Sequence, residues 1–140
     1  MSSTGTPEGC QIILVNNARA VLLQLRDEEP SIPFPGMWAI PGGMLEPGET
    51  ARACIEREVH EELGVTLPVD SIRFLGRRQR SYGIENTFTA VLEADPRKLV
   101  LTEGQRVDWF LEHQTARMQL AYEDNAVLEA FFVTHAGIDP

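Results

Sequence analysis

Four glutamates stand within seven residues of this chain: Glu56, Glu58, Glu61 and Glu62. Carboxylates so concentrated can hold a divalent cation or carry protons in general acid–base catalysis. On a helix, Glu58 lies three residues from Glu61 and four from Glu62, so the three are close neighbours and repel one another. At about 100° per residue, Glu62 falls about 20° and Glu58 about 60° from the apolar Ile55 around the axis. Both therefore project at or near the face a helix buries. A carboxylate is costly there unless something positive pairs with it. On a plain solvated face Arg52 and Arg57 would be the partners. The other reading is a hard cation: Mg²⁺ takes oxygen ligands, keeps several waters and completes its octahedron with a few carboxylates and substrate phosphate.

The wider spacing is more specific. Gly43 is followed after five residues by Glu49, and after seven more by Arg57-Glu58-Val59-His60-Glu61-Glu62-Leu63-Gly64-Val65. Seven fixed residues and two aliphatics at set offsets arise by chance in about one in a hundred million starts or fewer. The pattern resembles the signature of the Nudix (MutT-like) family at every fixed position. The flanks Trp38–Gly43 and Glu46–Thr50 resemble the family's usual entry to it, and a looser likeness runs from Gln11 to Phe132.

The resemblance implies an α/β (α+β) Nudix fold, an α/β/α sandwich with a central mixed β-sheet. It implies Mg²⁺, with Mn²⁺ as a substitute, held by Glu58, Glu61 and Glu62 and by the backbone carbonyl of Gly43. Gly42 and Gly43 allow the tight approach of backbone to metal or phosphate. Arg57 would hold the carboxylates, with Glu49 as its partner, and Gly64 would turn the chain back into the sheet. The reaction implied is cleavage of a pyrophosphate bond in a nucleoside diphosphate linked to another moiety, such as a nucleoside triphosphate or a nucleotide sugar, by metal-activated water. The base is not fixed within the family. Glu103, in the loop before Trp109-Phe110, is the first choice here and Glu61 the second.

Substrate contacts are sought among arginines and aromatics. Arg73, Arg77, Arg78 and Arg80 fall on one expected strand, where Arg78 and Arg80 share a face and Arg73 and Arg77 share the other. Arginine suits bidentate phosphate recognition; surface pairing with the excess acid is an equal alternative, and Arg78 or Arg80 is the first choice for a substrate contact. Arg26 ends the first hairpin, where some family members place a substrate arginine. Phe34 and Tyr82 sit in loops and can stack on a base, whereas Trp38 reads as core. His60, His113 and His135 show no metal-ligand spacing.

These residues need elements to position them. Gln11–Val15 and Ala20–Leu25 read as a hairpin, 27–36 as a Pro-rich loop, and Trp38–Ile40 as a short strand before Pro41-Gly42-Gly43. Ala51, Cys54, Ile55, Val59 and Leu63 recur at helical spacing, with Thr50 as N-cap and Gly64 as terminator. Strands follow near Ser71–Arg80, Glu85–Leu92 and Val107–Phe110. A closing helix over Tyr122–Thr134 would turn Ala126, Val127, Ala130 and Phe131 inward.

With 140 residues the chain reads as a flexible 1–9 followed by a single domain over 10–140. A net charge of −9 argues against a nucleic-acid polymer as partner. A small phosphate ligand remains compatible if cations neutralise both sides. No apolar run is long enough to span a membrane, and the first residues do not read as a signal peptide, so a cytoplasmic protein is expected. Cys10 and Cys54 read as separate, reduced, buried thiols. A homodimer is common in the family, and the sequence leaves that state open. Two other readings compete. A non-catalytic nucleotide-binding module typically loses motif glutamates, all of which are present here. A Nudix-fold isomerase needs a dedicated cysteine, and Cys54 lies on the packing stripe.

Overall fold

The computed structural model describes residues 5–99, 101 and 104–135. Its centre is strand β1 (Glu8–Val15), which is apolar on both sides. Successive side chains of a strand point to opposite faces. Cys10, Ile12 and Leu14 accordingly enter one core and Ile13 the other. Strand β6 (Gly83–Val91) runs parallel to β1 along one edge, from Glu8 against Ile84 to Val15 against Val91. On its other edge β1 pairs antiparallel with β2 (Val21–Leu25) and with β4 (Gly42–Met44). β3 (Trp38–Ala39) and β7 (Arg106–Phe110) both pair with β2, and β5 (Arg73–Arg80) pairs with β6. Among the described residues this makes one seven-stranded mixed sheet. β1 begins at Glu8, inside the segment expected to be flexible. The Glu8 carbonyl accepts from Leu45 N–H at 3.0 Å, and its carboxylate accepts from Asn86 Nδ2 at 2.8 Å.

Helix α1 (Ala51–Leu63) covers one face of the sheet with Cys54, Ile55, Val59 and Leu63. Its ends follow the sequence: the Thr50 hydroxyl accepts from Ala53 N–H at 3.0 Å, and Gly64 closes the helix at φ 68°. A one-turn helix, α2 (Glu112–Thr115), precedes helix α3 (Asp124–His135), which covers the opposite face. The inward stripe of α3 differs from the expected one. Asp124, Val127, Leu128 and Phe131 are buried, whereas Ala126 and Ala130 are exposed. Asp124 sets this rotation, because its carboxylate accepts from Ile40 N–H at 2.9 Å.

A bulge between Phe74 and Gly76 interrupts β5. Arg73 lies opposite Thr89 and Arg77 opposite Asn86. Thr89 and Asn86 face opposite sides of β6, so Arg73 and Arg77 do not share a face. No described helix is long and apolar enough to cross a membrane.

Candidate active site

A cavity of about 340 Å³ opens at the end of the sheet where β1, β4 and β6 meet α1. Glu58 and Glu62 line it from α1, Gly42 and Gly43 from β4. The spacing of the signature explains the placement. Glu62 sits next to the Ile55 stripe and is 6% exposed, and the Glu58 side chain is 12% exposed.

Arg57 holds this corner together. Its Nε and Nη2 donate to the two carboxylate oxygens of Glu49 at 2.8 and 2.9 Å. Nη2 also donates to the Met44 carbonyl at 3.1 Å, and Nη1 donates to Glu58 at 3.1 Å and Glu61 at 3.2 Å. The guanidinium thus ties the loop before α1, strand β4 and two helix carboxylates into one network. Its hydrogen bonds, with a further one from Glu46 N–H, hold the Glu49 carboxyl down at about 2. The same pairing pushes Arg57 further above its ordinary range.

The two glycines serve different neighbours. A Cβ at Gly42 would strike the backbone of Cys10 and Gln11, the strand it pairs with. A Cβ at Gly43 would strike the Glu58 carboxylate itself. The carboxylate therefore lies directly on the Gly43 backbone, a cradle that only glycine leaves open. Among the described residues no three His, Cys, Asp or Glu side chains converge as a preformed metal cage. Two shielded carboxylates, one of them against a bare backbone, fit a hard cation that takes its remaining ligands from phosphate and water.

The far end of the cavity is built differently. Arg26, Tyr82, Glu85, Tyr122 and Asp124 line it. Tyr122 lies between two other rings, 4.6 Å from Phe34 and 5.0 Å from Tyr82, centroid to centroid. The Arg26 guanidinium stands 5.4 Å over the Tyr122 ring, and its Nε donates to the Pro33 carbonyl at 2.9 Å. Burial raises the carboxyls of Glu85 and Asp124, the latter to about 8.

Residues 6–137 match the family model of the NUDIX domain. The chain belongs to the Nudix family. A nucleoside triphosphatase NudI of Escherichia coli O17:K52:H18 (strain UMN026) is 36% identical over 91 residues, which cover 56% of this chain and 64% of that protein. The matches span less than two thirds of the length of such curated relatives. Among solved structures, the MutT protein of Methanosarcina mazei Go1 superimposes with a TM-score of 0.77 at 23% identity, covering 93% of this chain and 95% of that one. The NUDIX domain of Shewanella oneidensis NrtR, solved with ADP ribose, gives 0.76 at 20% identity, covering 93% and 88%. At these identities the structures show a shared fold, the mixed sheet between helices.

Within this Nudix domain the residues singled out from sequence do not all meet. Glu58, Glu62, Gly42, Gly43, Arg26 and Tyr82 line one cavity. Glu49 and Arg57 stand behind its carboxylates, and Gly64 ends α1. Glu61 does not line the cavity; its side chain is 56% exposed and turned to Arg57. Phe34 stands behind Tyr122 rather than in the wall. Arg80 is held by ion pairs to Glu85 at 3.2 Å and Glu123 at 3.7 Å, so it positions the wall from outside. Arg78 is exposed and does not line the cavity. Glu103 lies outside the described residues. Sequence reading passed over Glu85, Tyr122 and Asp124. The one available signal was the Asp124-Val127-Leu128-Phe131 spacing, which places an acid on the buried stripe of α3. Cys10 and Cys54, expected apart, share one core, where a hydrogen bond between the thiols and burial push Cys10 upward and leave it a poor nucleophile.

Proposed function

We propose that this protein is a Mg²⁺-dependent hydrolase of nucleoside diphosphate derivatives, with nucleoside triphosphates the first class to test. One observation carries the reading: Glu58, lying on the bare Gly43 backbone, and the buried Glu62 line the same cavity as an arginine and two tyrosines. A phosphate chain belongs at the first end and a nucleoside at the second. The name of the NudI relatives favours a triphosphate, and the ADP ribose of the NrtR domain keeps diphosphate conjugates in the panel.

Glu58, Glu62 and the Gly43 carbonyl would hold the cation. When bound, that cation neutralises phosphate charge, acidifies a water and stabilises the leaving phosphate. Arg57 keeps Glu58 in place, so the ligand is oriented before substrate arrives. Arg26, fixed by Pro33 and Tyr122, presents its guanidinium to the substrate from the opposite wall. Glu61 and Glu103 are the residues proposed to take the proton from the attacking water.

The experiment is a screen of the purified protein against nucleoside triphosphates, nucleotide sugars, dinucleoside polyphosphates and ADP-ribose, with and without Mg²⁺, measuring released phosphate and pyrophosphate. Metal-dependent turnover of one class is expected. Tight binding without turnover of any class would instead favour a nucleotide-binding module.

A further inference from the structure

A second cavity, of about 520 Å³, opens at the opposite end of the sheet, where β1 and β6 finish. It shares no lining residue with the candidate active site. Strand register builds its floor. Ile13 lies opposite Thr89 and Thr89 opposite Arg73, while Val15 lies opposite Val91. Residues paired in register point to one face of a sheet, and Ile13 and Val15 pack on the α3 side. Arg73, Thr89 and Val91 therefore project toward the face that α3 covers. The cover stops short of this corner. Phe131 and Phe132 of α3 line the cavity, yet Val91 is left 66% exposed, and Leu111 beside it is exposed as well.

The polar rim has the sign opposite to the molecule's. The chain carries a net charge of −9, but Arg19, Arg73 and His113 line this cavity against one carboxylate, Glu112. Arg52, Arg57, Arg77 and Arg80 are held by carboxylates, whereas Arg73 makes no ion pair among the described residues. Arg19 comes from a fixed turn. Asn16 Oδ1 accepts from the N–H groups of Ala18 and Ala20 at 3.0 Å, and Arg19 holds left-handed backbone at φ 65°. A bulky residue takes that conformation only where its surroundings enforce it, so this side of the rim is set in advance.

We propose that this cavity binds a small amphipathic carboxylate, one anionic head on a hydrocarbon body. With His113 neutral, two guanidiniums against the Glu112 carboxylate leave a single positive charge, which suits a monoanion. A guanidinium takes a carboxylate through two parallel hydrogen bonds. The body lies on Val15, Val91, Leu111 and Phe132, apolar surface that its arrival removes from water. The cavity's volume falls within the range of small-molecule sites, about 300–1,000 Å³. A second copy of the chain suits it less, because two molecules of net charge −9 repel each other.

Calorimetric titration of the protein with decanoate, kept below the concentration at which it forms micelles, tests this without any turnover. One equivalent is expected to bind, about tenfold or more tighter than decanol, which keeps the body and lacks the charge. Inorganic pyrophosphate with Mg²⁺ should not compete, so the result stands apart from the hydrolase reading. Arg73→Gln, at an exposed strand position, is expected to weaken decanoate about tenfold and leave decanol unchanged. Val91→Glu, which sets a second carboxylate on the floor, is expected to abolish decanoate binding. Thermal unfolding checks that both variants are folded, and either one suffices. Absence of decanoate binding to the wild type would overturn the inference, as would equal affinity for decanol, competition by pyrophosphate, or a folded Arg73→Gln that binds decanoate as the wild type does. A dimer in sedimentation that Val91→Glu converts to a monomer would give the cavity to a second copy and overturn it too.

Discussion

Arg57 grips Glu49 with two parallel hydrogen bonds, at 2.8 and 2.9 Å, and with its remaining donors reaches Glu58, Glu61 and the Met44 carbonyl. A planar fork can do this; an ammonium cannot satisfy two carboxylate oxygens and a carbonyl in fixed directions. Arg57→Lys is therefore expected to lower kcat about 10–100-fold, the usual effect of losing a group that orients a metal ligand. Steady-state kinetics and metal titration check it; an unchanged kcat would remove Arg57 from the machinery.

Glu49 offers a pH test of the same pair. Arg57 holds its carboxyl at about 2, below the ordinary carboxylate value. A depressed value means the pair stabilises the fold above the unfolded range and loses that contribution as pH falls through the folded value. Between about pH 5 and 2 the wild-type protein should lose its stability advantage over Glu49→Gln. Denaturation curves of both proteins at several pH values measure the difference, and a gap that stays constant contradicts the pairing.

Gly42 and Gly43 are adjacent, yet alanine should act differently at each. At Gly42 the added carbon meets the backbone of β1, which cannot yield, so the variant should lose about 1–3 kcal/mol of stability. At Gly43 it meets the far end of the Glu58 side chain, not backbone, and should displace that carboxylate. Gly43→Ala should then stay folded and bind Mn²⁺ more weakly. Thermal unfolding and metal titration of both variants separate the two effects, and similar behaviour of the pair would refute the assignment.

Much of this site is legible in the sequence where side chains carry the information. The helix over Ala51–Leu63 declares itself by its apolar spacing, its Thr50 cap and its Gly64 stop, and the angle from Ile55 to Glu62 foretells a buried carboxylate. Strand β4 does not declare itself, because Gly42-Gly43-Met44 reads as a loop and its pairing with β1 is a backbone matter. The bulge in β5 likewise leaves no mark in side-chain alternation, so Arg73 and Arg77 were placed on one face. The rotation of α3 was missed because four apolar candidates looked equivalent until Asp124 met Ile40. Ion pairs across 42 residues, such as Arg80 with Glu123, depend on the finished fold and have no local signal.

Asp124 also predicts a pH dependence of opposite sense. Burial raises its folded value to about 8, so the folded state favours the proton. That contribution is full below the unfolded carboxylate value and is lost as pH rises toward 8. Relative to Asp124→Asn, which cannot ionise, the wild-type protein should grow less stable between about pH 4 and 8. Paired denaturation curves across that interval check the sign; a difference that does not change with pH would mean the carboxyl ionises normally.

The most direct test of the central claim is metal-dependent turnover by Glu58→Gln and Glu62→Gln. Glutamine keeps the size of each side chain and removes the charge that would hold the cation. Both variants should remain folded, bind Mn²⁺ at least about tenfold more weakly and lose about 10²-fold or more in kcat/KM on the substrate found for the wild type. Near-normal turnover and metal affinity in both would contradict the account, because the cavity would then hydrolyse its substrate without the carboxylates placed at its centre.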